Sequence, residues 1–541
     1  MKTFKLSNAQ ARILATELGN PGTTAYIVPI SVSFAAGDEA YIMDAIKAVL
    51  VGNINIRFTR DDNLDVVQYI AEADYSTIKY IEADTEDVEM IVKDSVAKGF
   101  FTIFDVPLYR FTIIKTPRKL ILLIVLHHMI CDGSSVYMLA DRLQEAVRCL
   151  RSGGEYLFNE ADYRLYIERE QQYLNSSEGK NDKAYWLEQF QDLSGYVQAI
   201  AVSEELSIGT RTIDLPEELS WGIKSACEKC PVQISPFVFA SALLAVYLSR
   251  INKAEGMVLS AGYSGRNFGE DLNEAMGMFV NLLPQKYPYN PEMTFIQALE
   301  NAKEILKGGL THGRYPFNLY SEELKQNNID AGMLLNYSIV SNSWKSDYIR
   351  VLELGHAEFP LLFRINPGRD DRDGLQRIRI EYRYDCFSDE KIDSLVDNLL
   401  TMLRDIVNNP EIACDEISIW GAMEKRLIAA GAATLENSFA YQEAHKYFEK
   451  IFAGNEIDSN LIPDLPGEIA PPLLASYTLS CELTLDEITF LAAFAYTLTK
   501  YSNQEEVIFC SAIEGKILPV YTNIDEEQAA PEYLQQIKNY L

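Results

Sequence analysis

The apolar and polar positions of this chain change rhythm most sharply near residue 120. Leu120 to Leu126 is an unbroken apolar run, the pattern of a strand buried on both faces. His127, His128, Asp132 and Gly133 follow, and then apolar residues recur at Val136, Leu139, Ala140, Leu143, Val147 and Leu150, which is helical spacing. A polar turn therefore joins a buried strand to a helix, with Ser134 as the predicted N-cap. Adjacent residues in an extended exit point to opposite faces. One histidine can then face a cavity while the other faces the protein.

The same reading places other elements around this one. Ser7 and Gln10 have capping-box spacing, so a helix starts at Ser7. Residues 26–35 read as a strand, and 40–51 as a helix with Ile42, Met43, Ile46, Val49 and Leu50 inward. The polar run Asn175 to Lys183 is the predicted linker between two halves. Beyond it come a helix at 216–230 and a helix at 236–251 that is apolar all round, hence buried. Strands follow at 256–266, 334–340 and 379–388, and a helix at 394–407.

Composition narrows the function classes. At 541 residues the chain holds more than one globular unit, and 48% apolar with 23% charged residues is an ordinary core-forming balance. A net charge of −30 argues against nucleic acid and anionic membrane as partners. There is no run of ~18 apolar residues to span a membrane and no signal-peptide pattern, so a cytoplasmic location is expected. The eight cysteines include one CxxC, Cys227 and Cys230, without two further ligands at matching spacing. No metal site is expected. Only five histidines exist, and two are adjacent in the turn.

The turn reads HHxxxDG, from His127 to Gly133. It resembles the signature of the condensation domains of nonribosomal peptide synthetases, in the chloramphenicol acetyltransferase-like superfamily. Other stretches resemble that family's motifs in the same order. Ser7, Ala9, Gln10 and Arg12 fit SxAQxR, and Asp162 and Tyr163 fit an aromatic motif. Gly265 and Arg266 end a strand as the family's Gly-Arg does. Gly277, Phe279, Val280, Asn281, Leu283 and Pro284 fit GxFVNTLP, and His312, Pro316 and Phe317 fit HxxxPF. One motif departs: where the family carries RHxxLR, residues 52–57 keep only Arg57 and an apolar residue before it.

The resemblance implies an α/β (α+β) fold of two chloramphenicol-acetyltransferase-like lobes in a V shape. Mixed sheets are flanked by helices, and the active site lies in a tunnel between the lobes. The N-terminal lobe would be 1–178 and the C-terminal lobe 179–427. It implies peptide-bond formation between a donor acyl thioester and an acceptor aminoacyl amine, with His128 as the catalytic residue. His127, Asp132, Gly133 and Arg266 would support it, Asp132 and Arg266 as an ion pair that can be bidentate. Ser134, Gly277, Phe279 and Asn281 would line the substrate or tunnel side. The chain would bind no cofactor of its own, because the substrates arrive on phosphopantetheine. Partners would be upstream and downstream peptidyl carrier proteins and neighbouring synthetase domains, with the chain itself a monomer. Two alternatives stay open: a stand-alone acyl-CoA-dependent N- or O-acyltransferase, and an inactive condensation-like scaffold.

Residues 428–541 repeat part of the second half. At an offset of 250, Ala242, Ala245, Leu248, Glu255 and Gly265 recur as Ala492, Ala495, Leu498, Glu505 and Gly515. Leu283 and Pro284 recur as Leu518 and Pro519 at an offset of 235. The tail is expected to be a truncated condensation-like segment without chemistry, since the deleted stretch is the one carrying MGMFVN and no second HHxxxDG is present.

Overall fold

The computed structural model describes residues 2–421 apart from 20–22, 86–90, 92–101, 197–199, 201–206, 328, 342–347, 353–358, 368–374 and 420, together with 506–513 and 516–523. The chain divides into two compact units, Met1–Gly421 and Ala422–Leu541.

Helix α1 (Asn8–Gly19) is preceded by a reciprocal capping box. The Gln10 N–H donates to Ser7 Oγ at 3.1 Å and the Ser7 N–H to Gln10 Oε1 at 3.0 Å. Strand β1 (Ile27–Ala35) leads to α2 (Glu39–Val49). The buried stripe of α2 is Ile42, Ala45, Ile46 and Val49, whereas Met43, expected inward, is 37% exposed. It lies about 100° around the helix from Ile42, off the stripe. Strands β2 (Ile56–Arg60) and β3 (Val66–Ile70) form a side ribbon. Strands β4 (Ile78–Glu82), β5 (Tyr109–Lys115) and β6 (Lys119–His127) complete the first half.

β6 sits at the centre of the first sheet, antiparallel to β1 from Ile27↔His127 to Ala35↔Lys119 and to β5 on its other edge. The two faces of its apolar run go to two cores. Leu120, Leu122, Ile124 and Leu126 enter the main cluster, and Ile121, Leu123 and Val125 a smaller one behind the sheet. Each such side chain contributes about 1.5–3 kcal/mol by leaving water. The strand that delivers the histidines is thus held from both faces. Helix α3 (Gly133–Arg151) follows the turn and packs beside α2.

The stretch Asn175 to Lys183 is not an extended linker. It is the break between two helices, α4 (Tyr163–Asn175) and α5 (Ser177–Gln189), with the Ser176 hydroxyl accepting the Gly179 N–H at 3.1 Å. Its polarity reflects a helix cap and exposed helix faces rather than absence of structure. A division at 178/179 would cut α5 at its first turn.

The second sheet has the order β7-β13-β12-β10-β8-β9. Its strands are β7 (Ile208–Asp214), β8 (Gly256–Ser264), β9 (Val280–Pro288), β10 (Tyr337–Ser341), β12 (Leu361–Pro367) and β13 (Leu375–Arg383). Helices α6 (Glu217–Lys229), α7 (Pro236–Ile251), α8 (Phe295–Thr311), α9 (Phe317–Gln326) and α10 (Asp389–Asn408) accompany it. α7 is buried at every position from Val238 to Ser249, as its apolar circumference predicts.

The two halves interlock. Short strand β11 (Ile349–Val351) leaves the second half and pairs with β1 at the edge of the first sheet. The connection from β8 to β9 also crosses over, burying Phe268, Leu272, Met276, Met278 and Phe279 in the first core. No helix among the described residues is long and apolar enough to cross a membrane.

In the second unit, two described strands, β14 (Glu506–Ile513) and β15 (Lys516–Asn523), pair antiparallel. Their register sets Cys510 opposite Pro519 and Ser511 opposite Leu518. In β8–β9, Ser260 faces Pro284 and Ala261 faces Leu283. These are the partners that offsets of 250 and 235 assign, so the repeat extends to backbone pairing. Residues 486–501, which the offset of 250 sets against α7, lie outside the described residues, as does most of 428–541.

Candidate active site

The turn begins where β6 ends. The His127 N–H donates to Leu108 O at 2.9 Å and the His128 N–H to Tyr26 O at 2.8 Å, so both neighbouring segments hold the exit. His128–Ile130 forms one 3-10 turn, and α3 starts at Gly133. The N-cap is Asp132 rather than Ser134: its Oδ1 accepts the Ser135 N–H at 2.8 Å. A carboxylate at 132 reaches the third amide of the helix and also complements the helix dipole. Ser134 is left one position inside the helix, partly exposed.

The two histidines face different surroundings. His127 is 2% exposed, with Nε2 at 3.1 Å from Glu17 Oε1 and Nδ1 accepting the Met129 N–H at 3.2 Å. His128 is only partly buried, and Gly133 beside it is exposed, with nothing within 4 Å of where a Cβ would stand. Cys131, also in the turn, is fully buried, and that burial, then the Asp132 charge, pushes its thiol well up. It is a neutral packing residue, so the one reactive side chain the turn presents outward is the His128 imidazole.

Behind the turn, Asp132 meets Arg266 from the β8–β9 connection. Arg266 Nη2 lies 2.7 Å from Asp132 Oδ1, with side chains 8% and 1% exposed. The contact is single, not the bidentate fork that an Asp–Arg pair allows. Nη1 turns instead to Leu272 O at 3.1 Å and Ala275 O at 2.6 Å. Among the described residues neither Asp132 Oδ2 nor Arg266 Nε has a hydrogen-bond partner. The Phe279 ring lies 4.0 Å beneath the guanidinium. The pair joins residues 134 positions apart and ties the turn to the second half.

Ser135, which the sequence reading passed over, completes this junction. Its hydroxyl accepts from Arg266 Nη2 at 2.9 Å and from the Gly277 N–H at 3.1 Å, and lies 2.9 Å from Gly277 O. Gly277 has to be glycine because a Cβ there would collide with the Tyr163 ring. The Tyr163 hydroxyl in turn donates to Met278 O and lies 2.9 Å from Ser7 Oγ. Five separate motifs therefore meet at one place for packing reasons. Gln10 extends the set: its Nε2 donates to Met129 O at 3.0 Å.

Phe279 and Asn281 are held by packing and hydrogen bonds. Phe279 is fully buried among Tyr163, Tyr166 and Arg266. Asn281 Nδ2 donates to Gly313 O at 2.9 Å and Tyr315 O at 2.8 Å, and its Oδ1 accepts the Phe317 N–H at 3.0 Å. All of these contacts staple the segment 313–317 to β9. A cavity of about 10 Å³ at the junction, room for one water, is bordered by Tyr166, Glu170, Phe279, Asn281 and Arg314. Burial pushes the Glu170 carboxyl up to about 6, partly offset by hydrogen bonds from Asn8 and Tyr166. His312 is remote from the turn in its contacts, with Nδ1 at 2.7 Å from Asp182 Oδ1 and its ring stacked on Tyr185. No cluster of three or more His, Cys, Asp or Glu fit for a metal occurs among the described residues.

Comparison with known proteins matches this arrangement to one family. The profile of the family described as "Condensation domain" matches residues 1–429. Surfactin synthase subunit 1 of Bacillus subtilis (strain 168) is 27% identical over 453 residues, covering 79% of this chain and 12% of that protein. Tyrocidine synthase 2 of Brevibacillus parabrevis is 24% identical over 482 residues, covering 83% and 13%. The chain thus spans about an eighth of the length of these relatives. Among solved structures, the first condensation domain of the CDA synthetase superposes with a TM-score of 0.63 at 19% identity, covering 77% of this chain and 99% of that one. The starter condensation domain of rhizomide synthetase, in complex with C8-CoA, gives 0.66 at 19% identity, covering 77% and 97%.

Proposed function

This chain belongs to the condensation-domain family, and on that premise we propose that it forms an amide bond between a donor acyl or peptidyl thioester and the amine of an acceptor aminoacyl thioester. The observation that carries the reading is the partly exposed His128 beside the open Gly133, on a turn clamped through Asp132 and Arg266 to the other half of the fold. An imidazole so held can orient and deprotonate an amine without moving.

The acceptor amine nitrogen attacks the donor thioester carbon, and a C–N bond forms as the carbonyl oxygen takes the negative charge. The imidazole of His128 takes the amine proton. The C–S bond then breaks, and the proton passes to the departing sulfur, leaving an amide on the acceptor and a free thiol on the donor arm. Free α-amines titrate near ~8, so much of the nucleophile is already neutral at pH 7. Holding both thioesters together supplies up to ~7–11 kcal/mol, and proton acceptance adds about 10²–10⁴-fold. The Gly133 amide, first in α3, donates toward the oxyanion, where the helix dipole also favours negative charge.

Both substrates come on phosphopantetheine arms of upstream and downstream peptidyl carrier proteins, beside neighbouring synthetase domains. The chain acts as a monomer in the cytoplasm and contributes no cofactor of its own. The chain spans about an eighth of the synthases of surfactin and tyrocidine that it matches, which supports partner domains beside it. One finding favours a second reading. A structural neighbour is a starter domain solved with C8-CoA, so the donor here can instead be an acyl-CoA. Incubating the protein with an aminoacyl-loaded acceptor carrier and either a carrier-bound or a CoA-bound acyl donor separates the two. Product from the carrier-bound donor alone is expected, and product from the CoA-bound donor overturns it. The tail takes no part in the chemistry. A chain ending near residue 430 should retain activity, and a folded but inactive one contradicts this.

A further inference from the structure

Helix α1 grips the histidine turn at two points. Gln10 in its first turn donates to Met129 O at 3.0 Å, and Glu17 in its last turn meets His127 Nε2 at 3.1 Å. Seven residues separate them, two helical turns on one face. The backbone held between these points is the segment 127–129, with His128 at its middle.

The hydrogen bonds also fix a proton. His127 Nδ1 accepts the Met129 N–H at 3.2 Å, so this nitrogen offers its lone pair. The neutral ring must then carry its hydrogen on Nε2, which faces Glu17 Oε1. Glu17 is 6% exposed and His127 2%, so water does not substitute readily for either. Were the hydrogen on Nδ1 instead, it would oppose the Met129 N–H, and the 3-10 turn carrying His128 would open.

We infer that Glu17 is a positioning residue for the condensation reaction: its carboxylate holds His127 as the Nε2–H tautomer and thereby fixes the turn that presents His128. It lies outside the motifs that mark the family resemblance. The inference rests on the reading of His128 as the residue that meets the amine. Glu17 itself touches no reacting atom.

The test compares Glu17→Leu and Glu17→Gln with His128→Ala in a carrier-loaded condensation assay. Glu17→Leu removes the acceptor, so kcat should fall about 10–100-fold, in line with the penalty for misplacing a catalytic group, with KM for the acceptor carrier within about twofold. Glu17→Gln keeps an oxygen acceptor and should restore kcat to within about threefold. If His128→Ala is inactive while Glu17→Leu turns over like the wild type, the inference fails and the proposed function stands. If His128→Ala is fully active, the functional reading itself fails. Should Glu17→Leu not fold, long-range ¹H–¹⁵N correlations of the wild-type rings decide, since only five histidines need assignment. His127 protonated on Nε2 is expected, and protonation on Nδ1 overturns the inference.

Discussion

Arg266→Ala removes the centre of the junction between the two halves. It deletes contacts at 2.7 Å to Asp132 Oδ1, 2.9 Å to Ser135 Oγ, and 3.1 and 2.6 Å to the carbonyls of Leu272 and Ala275. It also leaves the Asp132 carboxylate, 1% exposed, without its cation. Stranding one partner of a buried pair costs about 3–5 kcal/mol. Asp132→Ala strands Arg266 in the same way and loses the cap on the Ser135 amide, worth ~1 kcal/mol. The double variant strands no charge, so its loss should fall short of the sum of the singles by about 2–3 kcal/mol. Domains have only ~5–15 kcal/mol to lose, so the singles should be visibly less stable than His128→Ala. Urea unfolding followed by tryptophan fluorescence measures this, because Trp186 is 1% exposed in the first unit and meets water on unfolding. An additive cycle, or an Arg266→Ala loss under ~1 kcal/mol, refutes the reasoning. A fully stable but inactive Asp132→Ala would instead give Asp132 a direct part in the chemistry.

Glu170→Gln should stabilise the protein at neutral pH. Burial raises this carboxyl from 4.5 to about 6, so the native state holds its proton more tightly than the unfolded chain. That contribution is fully present below about pH 4.5 and is lost as pH rises through about 6. Above that range the buried charge costs about 2 kcal/mol, an order-of-magnitude figure from the shift. The variant's advantage in urea midpoint should appear at pH 7–8 and vanish near pH 4.5; a pH-independent difference contradicts this. Gly277→Ala forces a methyl into the Tyr163 ring, whose hydroxyl is anchored to Met278 O. A loss of about 1–3 kcal/mol is expected, and an unchanged melting temperature would show that the ring can yield.

The strand, turn and helix around His128 were legible because their signals are local. A seven-residue apolar run and a helical repeat need no partner to be recognised. The repeat in the tail was legible as an offset pattern, and the β14–β15 register extends it to backbone pairing. What was not legible depends on distant chain. Asp132 displaced Ser134 as the cap because both can accept an amide, and only the backbone entry angle decides between them. The run Asn175 to Lys183 looked like a linker because caps and exposed helix faces share its composition. Three-residue β11 and the crossing of residues 265–279 into the first core carry no local signature. The same holds for Ser135 and Glu17, whose partners lie 142 and 110 positions away.

The most direct test of the account is the His128→Ala variant in single-turnover condensation with a preloaded donor and acceptor carrier, alongside its urea midpoint. The account predicts amide formation slower by at least the ~10²–10⁴-fold ascribed to proton acceptance, with stability within about 0.5 kcal/mol of the wild type, because this side chain is partly exposed. Condensation at the wild-type rate would contradict it.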